Sequence, residues 1–572
     1  MGRGMNEESG TTVAPSPLAT SSPLVHGPGA QAAQEQATRP SGPAPGWRRA
    51  GMLLHVTSLP GPDGIGDMGA PSRRFVDWLA QAGLRLWQTL PLHPPANAAM
   101  SPYDAASAFA GNPLLISLDD VAALGLLPDT LPEIRSSVGV GAAAMIDPAQ
   151  RMVAGRAGGI DPLARTARWK LPLVRQAARQ LLGLPAGHEL MVDFLAFCER
   201  EAWWLADHVA FTALREEYPG VPRAQWPVED RVRKVGAHRA RSLAIGATHQ
   251  HPEAAVQYLF DRQLRELHAH ARARDVWLMG DAPIYVGDDS ADVWAQPELF
   301  LLDEQHLARV RTGAPPDAMD PTGQVWPMPA YDWAANAASD WEWWIRRLRR
   351  EFDAADVVRI DHFRAFADWW SVPPQAAFAE QGHWEPGPGM AFFDAVSTAL
   401  GPLELVVEDL GQETEPLRRL REQTGLPQMR VLVQGLDEDG SSLHLPTAWT
   451  GNEAAYTDTH DYDTIAGWAQ SALHAATTDD TDDRLARALR LTGASDVVEL
   501  PRAAIETVMQ SQARYAVAPL QDWLGMGSES RMNVPGTADG NWRWIAPTGV
   551  FDDELAQEIA TSVARAGRTA DA

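Results

Sequence analysis

The sequence lacks the features that mark several large classes of protein. A single cysteine among 572 residues excludes an intrachain disulfide framework and a cysteine-rich zinc site. No apolar run approaches the roughly 18 residues that a membrane-spanning helix needs. Lys and Arg number 48 against 74 Asp and Glu, and this net charge of −26 disfavours binding to nucleic acid or to an anionic membrane surface. We therefore expect an acidic, soluble and cytoplasmic protein.

The first 46 residues lack aromatic side chains altogether. They contain seven prolines and seven glycines without a repeat, a composition that buries too little apolar surface to offset the entropy of ordering. They also lack the basic start and apolar core of a secretory signal. We predict a disordered tail over residues 1–46, with structure beginning near Trp47.

The rest of the chain alternates short apolar runs with helical periodicity, which indicates βα units around a parallel sheet. A bare eight-stranded barrel needs about 250 residues, so residues 47–572 fit one elaborated barrel better than several domains. The fold class predicted is α/β, a (β/α)8 TIM barrel with a large helical insertion at about 114–275 and smaller loop subdomains. The strand-like runs are residues 51–56, 86–91, 276–280, 357–360, 403–407, 428–433 and 454–457.

Tryptophan is abundant, with 22 residues. Trp341 and Trp344 fall on the apolar face of a predicted helix, and we interpret them as core residues. We interpret Trp523, Trp542 and Trp544 near the C-terminus in the same way, as core or barrel closure.

Three of the strand-like runs end in carboxylates, at Asp361, Glu408 and Asp461. The carboxyl ends of parallel barrel strands open on one face, so these acids are expected to meet there. A single acid at a strand end is usually structural, but three together favour a functional site.

The chemistry of the first two acids is predicted to differ. Arg359 and Asp361 are two residues apart on a strand and point to the same side, so the guanidinium should lower the pKa of Asp361 and suit it to nucleophilic attack. Glu408 follows two valines, and an apolar surround raises the pKa of a carboxyl as a general acid requires. Such a pair, with Asp461 as a third acid, is typical of glycoside cleavage, and a separation of roughly 5 Å makes the mechanism retaining.

Twelve short motifs carry a family resemblance over roughly residues 50–545. They are HVTSLP at 55–60, GIGD at 64–67, SPY at 101–103, SAFAGNP at 107–113, GDAPIYV at 280–286, SADVW at 290–294, GAPPD at 313–317, TGQVW at 322–326, VRIDHF at 358–363, EDLG at 408–411, THD at 459–461 and RMNVPGT at 531–537. In these motifs and their order the chain resembles the amylomaltases, 4-α-glucanotransferases also called disproportionating enzymes, of the α-amylase-like superfamily.

The resemblance implies a transferase that moves an α-1,4-glucan segment from a maltodextrin to the 4-hydroxyl of glucose or another maltodextrin. It implies no metal or other cofactor, and it leaves the oligomeric state open. Asp361 matches the nucleophile that forms a covalent glycosyl intermediate, Glu408 the acid/base and Asp461 the transition-state stabiliser. The residues that match substrate-binding positions are Tyr103, Asp281, Trp326, Arg359, His460 and Asn533.

Several positions depart from the family's usual pattern. Tyr462 stands where Asn is usual, Asp458 replaces a Gly, and Met319 and the pair 327–328 lie in an altered loop. Because these positions border the predicted groove, we expect them to change acceptor preference and donor length. Two other functions stay open at this point: an α-1,4-glucan hydrolase of the same superfamily, and a glucan-binding regulator without activity.

Overall fold

The structure, a computed structural model, contains a closed barrel of eight parallel strands, which confirms the predicted fold class. It describes residues 47–96, 100–139, 161–233, 248–317, 321–438, 442–478, 482–537 and 539–569. The prediction for residues 1–46 therefore lies outside the described residues, as does Met319. Within these ranges no helix is long and apolar enough to cross a membrane.

The barrel strands run in the order β1, β12, β11, β10, β9, β6, β3, β2 and back to β1. Their bounds are β1 Arg49–Leu53, β2 Leu86–Gln88, β3 Trp277–Ala282, β6 Val357–Ile360, β9 Leu405–Val407, β10 Gln428–Val431, β11 Glu453–Tyr456 and β12 Tyr515–Pro519. Seven of them overlap the strand-like runs in the sequence. The eighth, β12, does not, because Ala516, Ala518 and the terminal Pro519 give it a weak strand pattern.

Helices fill the described part of the chain between β2 and β3. They are Leu118–Ala123, Leu131–Ser137, Pro162–Leu182, Glu189–Arg200, Ala202–Glu217 and Pro252–Arg272. A further helix, Ala70–Gln81, lies between β1 and β2. The helices Glu189–Arg200 and Ala202–Glu217 meet at a corner, because Glu201 leaves the helical conformation with φ −97° and ψ 6°. Its carboxylate accepts hydrogen bonds from Arg200 at 2.9 Å and from the indole of Trp204 at 2.8 Å, and this fixes the corner.

A second sheet of four antiparallel strands lies outside the barrel. Its order is β5, β4, β7, β8, with bounds β4 Arg311–Ala314, β5 Gln324–Pro329, β7 Asp368–Val372 and β8 His383–Pro386. β4 and β5 belong to the segment that follows β3, and β7 and β8 belong to the segment that follows β6. This sheet therefore joins the segment after Asp281 to the segment after Asp361.

The remaining helices follow the barrel strands and cover them. Trp341 and Trp344 are core residues at 6% and 2% exposure, as predicted, although Trp341 precedes the helix Glu342–Phe352 with a left-handed φ of 59° and is not part of it. The helices are Ala291–Ala295, Trp333–Ala338, Glu342–Phe352, Met390–Leu400, Glu415–Thr424, Leu432–Asp437, Ile465–Thr478, Arg484–Thr492, Leu500–Gln510, Leu520–Trp523 and Asp553–Arg565.

Candidate active site

The carboxyl ends of four barrel strands bring the predicted acids together. Asp281 is paired with Arg359 across β3 and β6, and Ile360 is paired with Val407 across β6 and β9. Asp361 and Glu408 are therefore the next residues of two adjacent strands, which lie about 4.8 Å apart in such a sheet. Asp461 follows β11 on the same face.

Arg359 is the centre of a buried ion cluster at this mouth. Its Nη1 donates to Asp281 Oδ1 at 2.7 Å and to Asp361 Oδ1 at 2.9 Å. Tyr103 donates its hydroxyl to the other oxygen of Asp281 at 2.7 Å. The side chains of Arg359 and Asp281 are almost inaccessible, whereas that of Asp361 is 21% exposed. Asp361 is thus the most exposed of the three charged groups.

The pKa of Asp361 differs from the sequence-based prediction. Burial raises it to about 7, because the loss of hydration together with the charges of Asp281, Glu408 and Asp461 outweighs the attraction of Arg359. The prediction that Arg359 holds the pKa of Asp361 low is therefore wrong for the net shift, although the guanidinium does act in that direction. The sequence placed the two groups side by side but did not reveal how completely water is removed around them.

Glu408 is fixed by two backbone N–H groups, one on each carboxylate oxygen. His362 donates to Oε2 at 2.7 Å and Leu410 donates to Oε1 at 2.8 Å. The backbone of His362 is left-handed, with φ 47°, a costly conformation for a non-glycine residue that turns its N–H towards Glu408. Burial raises the pKa of Glu408 despite Arg359 and these hydrogen bonds, as expected for a proton donor.

Asp461 has the opposite electrostatic environment. Burial alone would raise its pKa, but His460, the side-chain amide of Asn533 and Arg359 together lower the pKa of Asp461 to about 2. His460 Nε2 lies 3.1 Å from Oδ2, and Asn533 Nδ2 donates to Oδ1 at 2.7 Å. Arg531 also donates to the main-chain oxygen of Asp461 at 3.0 Å. Asp461 is therefore negatively charged at neutral pH.

Aromatic rings form one wall of the mouth. Tyr103 stacks on His460 with ring centroids 5.0 Å apart. Trp542 packs against both rings, at 5.7 Å from Tyr103 and 5.9 Å from His460. Trp542 is buried, as expected for a core residue, but its contacts with the predicted substrate-binding residues were not foreseen.

Trp326 lies on β5 of the outer sheet. Its ring meets His362 edge to face with centroids 4.9 Å apart, and its indole nitrogen donates to Gln324 at 3.0 Å. Burial lowers the pKa of His362 to about 3, so its imidazole is neutral. Through His362, Trp326 borders the loop that carries Asp361. The structure thus brings every predicted site residue to this one mouth.

Two residues of the site were missed besides Trp542. His55 is buried after β1, and burial together with His460 lowers its pKa to about 3. His362 orients Glu408 through its backbone, a role that no side-chain pattern reveals. The HVTSLP and VRIDHF motifs contain these two histidines, so the motifs were the available signal.

This arrangement supplies three carboxyl groups with distinct chemistry. Glu408 has the raised pKa of a proton donor, Asp361 is an accessible carboxyl beside a guanidinium, and Asp461 is ionised at neutral pH. Proton donation, nucleophilic attack and stabilisation of positive charge are the components of glycoside cleavage.

Comparison with known proteins gives matches over nearly the whole chain. A family model described as 4-alpha-glucanotransferase matches residues 54–548. The chain is 39% identical to the 4-alpha-glucanotransferase of Thermus thermophilus over 514 residues, covering 89% of this chain and 96% of that protein. It is 37% identical to the chloroplastic/amyloplastic 4-alpha-glucanotransferase of Solanum tuberosum over 523 residues, covering 89% of this chain and 84% of that protein.

Solved structures agree with these sequence matches. The amylomaltase of Streptococcus agalactiae, determined in complex with acarbose, superposes with a TM-score of 0.79 at 29% identity and covers 91% of this chain and 100% of that one. The amylomaltase of Corynebacterium glutamicum gives a TM-score of 0.67 at 18% identity, covering 91% and 75%, and this likeness concerns the fold.

Proposed function

The chain belongs to the 4-alpha-glucanotransferase family and is a 4-alpha-glucanotransferase, and we propose that it works by a retaining mechanism with Asp361 as nucleophile and Glu408 as acid/base. The observation that carries the proposal is the register of β6 and β9. Asp361 and Glu408 directly follow the paired residues Ile360 and Val407. Neighbouring strands of a sheet lie about 4.8 Å apart, and this spacing supports the short carboxyl separation that is typical of retaining enzymes.

In the first half-reaction, an oxygen of Asp361 attacks the anomeric carbon of the donor glucan. The bond from that carbon to the 4-oxygen of the departing chain breaks, and Glu408 transfers its proton to this oxygen. Asp461, which carries a full negative charge, stabilises the positive charge that develops on the sugar ring. The products are a glucan ester of Asp361 and a shortened chain.

In the second half-reaction, the 4-hydroxyl of an acceptor replaces the departed chain. The Glu408 carboxylate takes the hydroxyl proton while the oxygen attacks the anomeric carbon, and the ester bond to Asp361 breaks. Each cycle starts with one proton shared by the Asp361–Glu408 pair, and the raised pKa of both carboxyls supports this state near neutral pH.

The substrates follow from this chemistry. We expect maltodextrins as donors, and glucose or maltodextrins as acceptors. Acarbose, the ligand in the solved Streptococcus agalactiae amylomaltase, should bind at the same mouth. Tyr103, Asp281, Trp326, Arg359, His460 and Asn533 are the side chains that we propose to contact the glucan. The cytoplasmic location stays a prediction.

The proposal is tested with maltotriose and with an activated donor. The enzyme should convert maltotriose to glucose and longer maltodextrins without changing the number of reducing ends, whereas hydrolysis would increase it. The variant Asp361→Asn should lose both the conversion of maltotriose and the release of fluoride from α-maltosyl fluoride. Glu408→Gln should lose maltotriose activity but still release fluoride from α-maltosyl fluoride, because fluoride leaves without a proton.

Matched controls exist at the opposite ends of the same strands. Asp356 precedes β6 and contacts His268 and Arg272, while Glu404 precedes β9 and pairs with Arg514 at 2.7 Å. Asp356→Asn and Glu404→Gln should keep turnover once they are folded. An Asp361→Asn variant that retains turnover, or a Glu408→Gln variant that loses fluoride release, would contradict the assignment.

A further inference from the structure

Tyr462 lies at the β10 sector of the mouth, the part between the ends of β9 and β11. The chain after β10 continues as buried apolar residues, Leu432 and Val433, in the short helix Leu432–Asp437. Tyr462 follows Asp461 in the loop after the neighbouring strand β11, and its hydroxyl donates to Oε1 of Gln434 in that helix at 2.7 Å. The ring is half-buried and packs against the core. Tyr462 therefore covers the β10 sector from the β11 side.

The surroundings of the Tyr462 hydroxyl locate it more closely. Burial raises its pKa well above the usual range, and the charges of Glu408, Asp461, Asp317 and Glu438 act on it in the same direction. These carboxylates come from separate loops of the barrel mouth, and the effect of Glu408 is the strongest among them. The hydroxyl stays protonated, so its bond to Gln434 holds the ring in one orientation.

The order of the strands shows which part of a substrate this ring faces. Glu408 directly follows β9. On one side of it lies Asp361, which follows β6, and on the other side lies the β10 sector. The nucleophile side holds the sugar whose anomeric carbon reacts. The acid/base protonates the oxygen of the next sugar, so that sugar lies towards the β10 sector. The departing chain and the acceptor occupy this same place in turn.

We propose that Tyr462 forms the wall of the acceptor site and sets the preference of the enzyme for its acceptor glucose unit. The apolar face of a tyrosine ring suits the carbon–hydrogen face of a glucose ring, and the fixed orientation makes it a preorganised platform. The inference rests on the proposed role of Glu408 as acid/base. It assigns to Tyr462 the binding of the sugar in this place, and no part in forming the ester of Asp361 from a donor whose departing group is not a sugar.

The test separates the two half-reactions. With α-maltosyl fluoride as donor, the initial burst of fluoride reports ester formation, and the dependence of transfer on glucose or maltose concentration gives the acceptor KM. Tyr462→Ala should raise the acceptor KM about three- to tenfold, the range expected for a lost ring contact, while the burst rate stays within twofold. Tyr462→Phe keeps the ring and should raise the acceptor KM less than threefold.

A matched control and a second variant keep the test decisive. Tyr218 is also half-buried and donates its hydroxyl to a carboxylate, that of Asp230, at 2.7 Å, but it lies in the helical insertion. Tyr218→Ala should leave the acceptor KM unchanged. Gln434→Leu removes the partner of the Tyr462 hydroxyl without touching the ring, and it should raise the acceptor KM about two- to threefold.

The outcomes distinguish this inference from the proposed mechanism. An unchanged acceptor KM in Tyr462→Ala would overturn the inference. So would an equal rise in the acceptor KM of the Tyr462→Phe and Tyr462→Ala variants. A burst rate that falls by the same factor as the acceptor KM rises would also overturn it. If the unaltered enzyme gives no fluoride burst, the covalent mechanism itself fails. If Tyr462→Ala does not fold, the Phe and Gln434→Leu variants decide, since an acceptor KM unchanged in Gln434→Leu also contradicts the inference.

Discussion

Arg359 holds Asp361 from two residues earlier on the same strand, with Nη1 donating to Oδ1 at 2.9 Å, and yet the pKa of Asp361 is raised to about 7. The same nitrogen also donates to Asp281, so one guanidinium is shared between two carboxylates. Arg359 therefore positions Asp361 more than it ionises it. The proton that remains on the Asp361–Glu408 pair is the one that the acid/base step needs.

The pH dependence of kcat/KM should reflect this pair. The reaction needs Asp361 ionised, so activity is lost as the pH falls through its raised pKa, and the acidic limb should lie near pH 7 instead of near 4. Arg359→Gln removes a charge that lowers this pKa and should move the limb to higher pH. Initial rates with maltotriose between pH 4 and 9 measure both, and an acidic limb near pH 4 in the unaltered enzyme would contradict the account.

Asn533 should support the charge of Asp461. Replacing it by Asp puts a second carboxylate 2.7 Å from Oδ1 of Asp461, which opposes the ionised form, whereas Ala only removes a hydrogen bond. Asn533→Asp should lower kcat about a hundredfold, and Asn533→Ala about tenfold. Asn541, which donates to Thr537 nearby, is the matched control. Equal kcat values for the Asn533→Ala variant and the unaltered enzyme would show that Asp461 needs no such support.

Trp542 should affect substrate binding and not only stability. Its ring packs against Tyr103 and His460, whereas Trp544, which is equally buried at 7% exposure, is two residues further along. Both Trp→Ala changes should cost about 3 kcal/mol or more of stability. Trp542→Ala alone should also raise the KM for maltotriose, by about tenfold. Thermal unfolding together with KM separates the two effects, and equal KM values for the two variants would place Trp542 in the core only.

Asp458 and Asp522 form a buried acid pair that should make stability depend on pH. Both are 2% exposed. Burial and the neighbouring carboxyls, Asp522 above all, raise the pKa of Asp458 well above its usual range, and burial raises the pKa of Asp522 to about 6. The folded protein therefore binds protons that the unfolded chain has released, so stability falls as the pH rises above about 4. Asp458→Asn keeps a hydrogen-bond donor towards Asp522 without needing a proton. Its Tm should fall less than that of the unaltered enzyme between pH 6 and 9, by roughly 2 °C. Parallel Tm curves would refute the shared proton.

The sequence predicted the features of the site that depend on local periodicity. The two-residue repeat of a strand was enough to put Arg359 and Asp361 on one side, and the ends of parallel strands were enough to gather Asp361, Glu408 and Asp461. The net pKa of Asp361 was not predictable, since it depends on charges from four strands and on the water that they exclude.

Features that arise from distant contacts were missed for a similar reason. Trp542 has the surroundings of a core residue in its own segment, and only the fold brings it to Tyr103, more than 400 residues earlier. The outer antiparallel sheet pairs β4 with β7, segments separated by a barrel strand, so no local pattern indicates it. The corner at Glu201 interrupts a continuous helical periodicity through side-chain hydrogen bonds that the pattern does not encode.

The central claim, that Asp361 carries the glucan between donor and acceptor, is tested most directly by isolating the ester. The Glu408→Gln variant is mixed with α-maltosyl fluoride, quenched in acid and digested with a protease. The masses of the peptides are then measured by mass spectrometry. The account predicts one added maltosyl group on the peptide that contains Asp361, and its loss when the Asp361→Asn change is added. A maltosyl group on another residue, or fluoride release with no modified peptide, would contradict it.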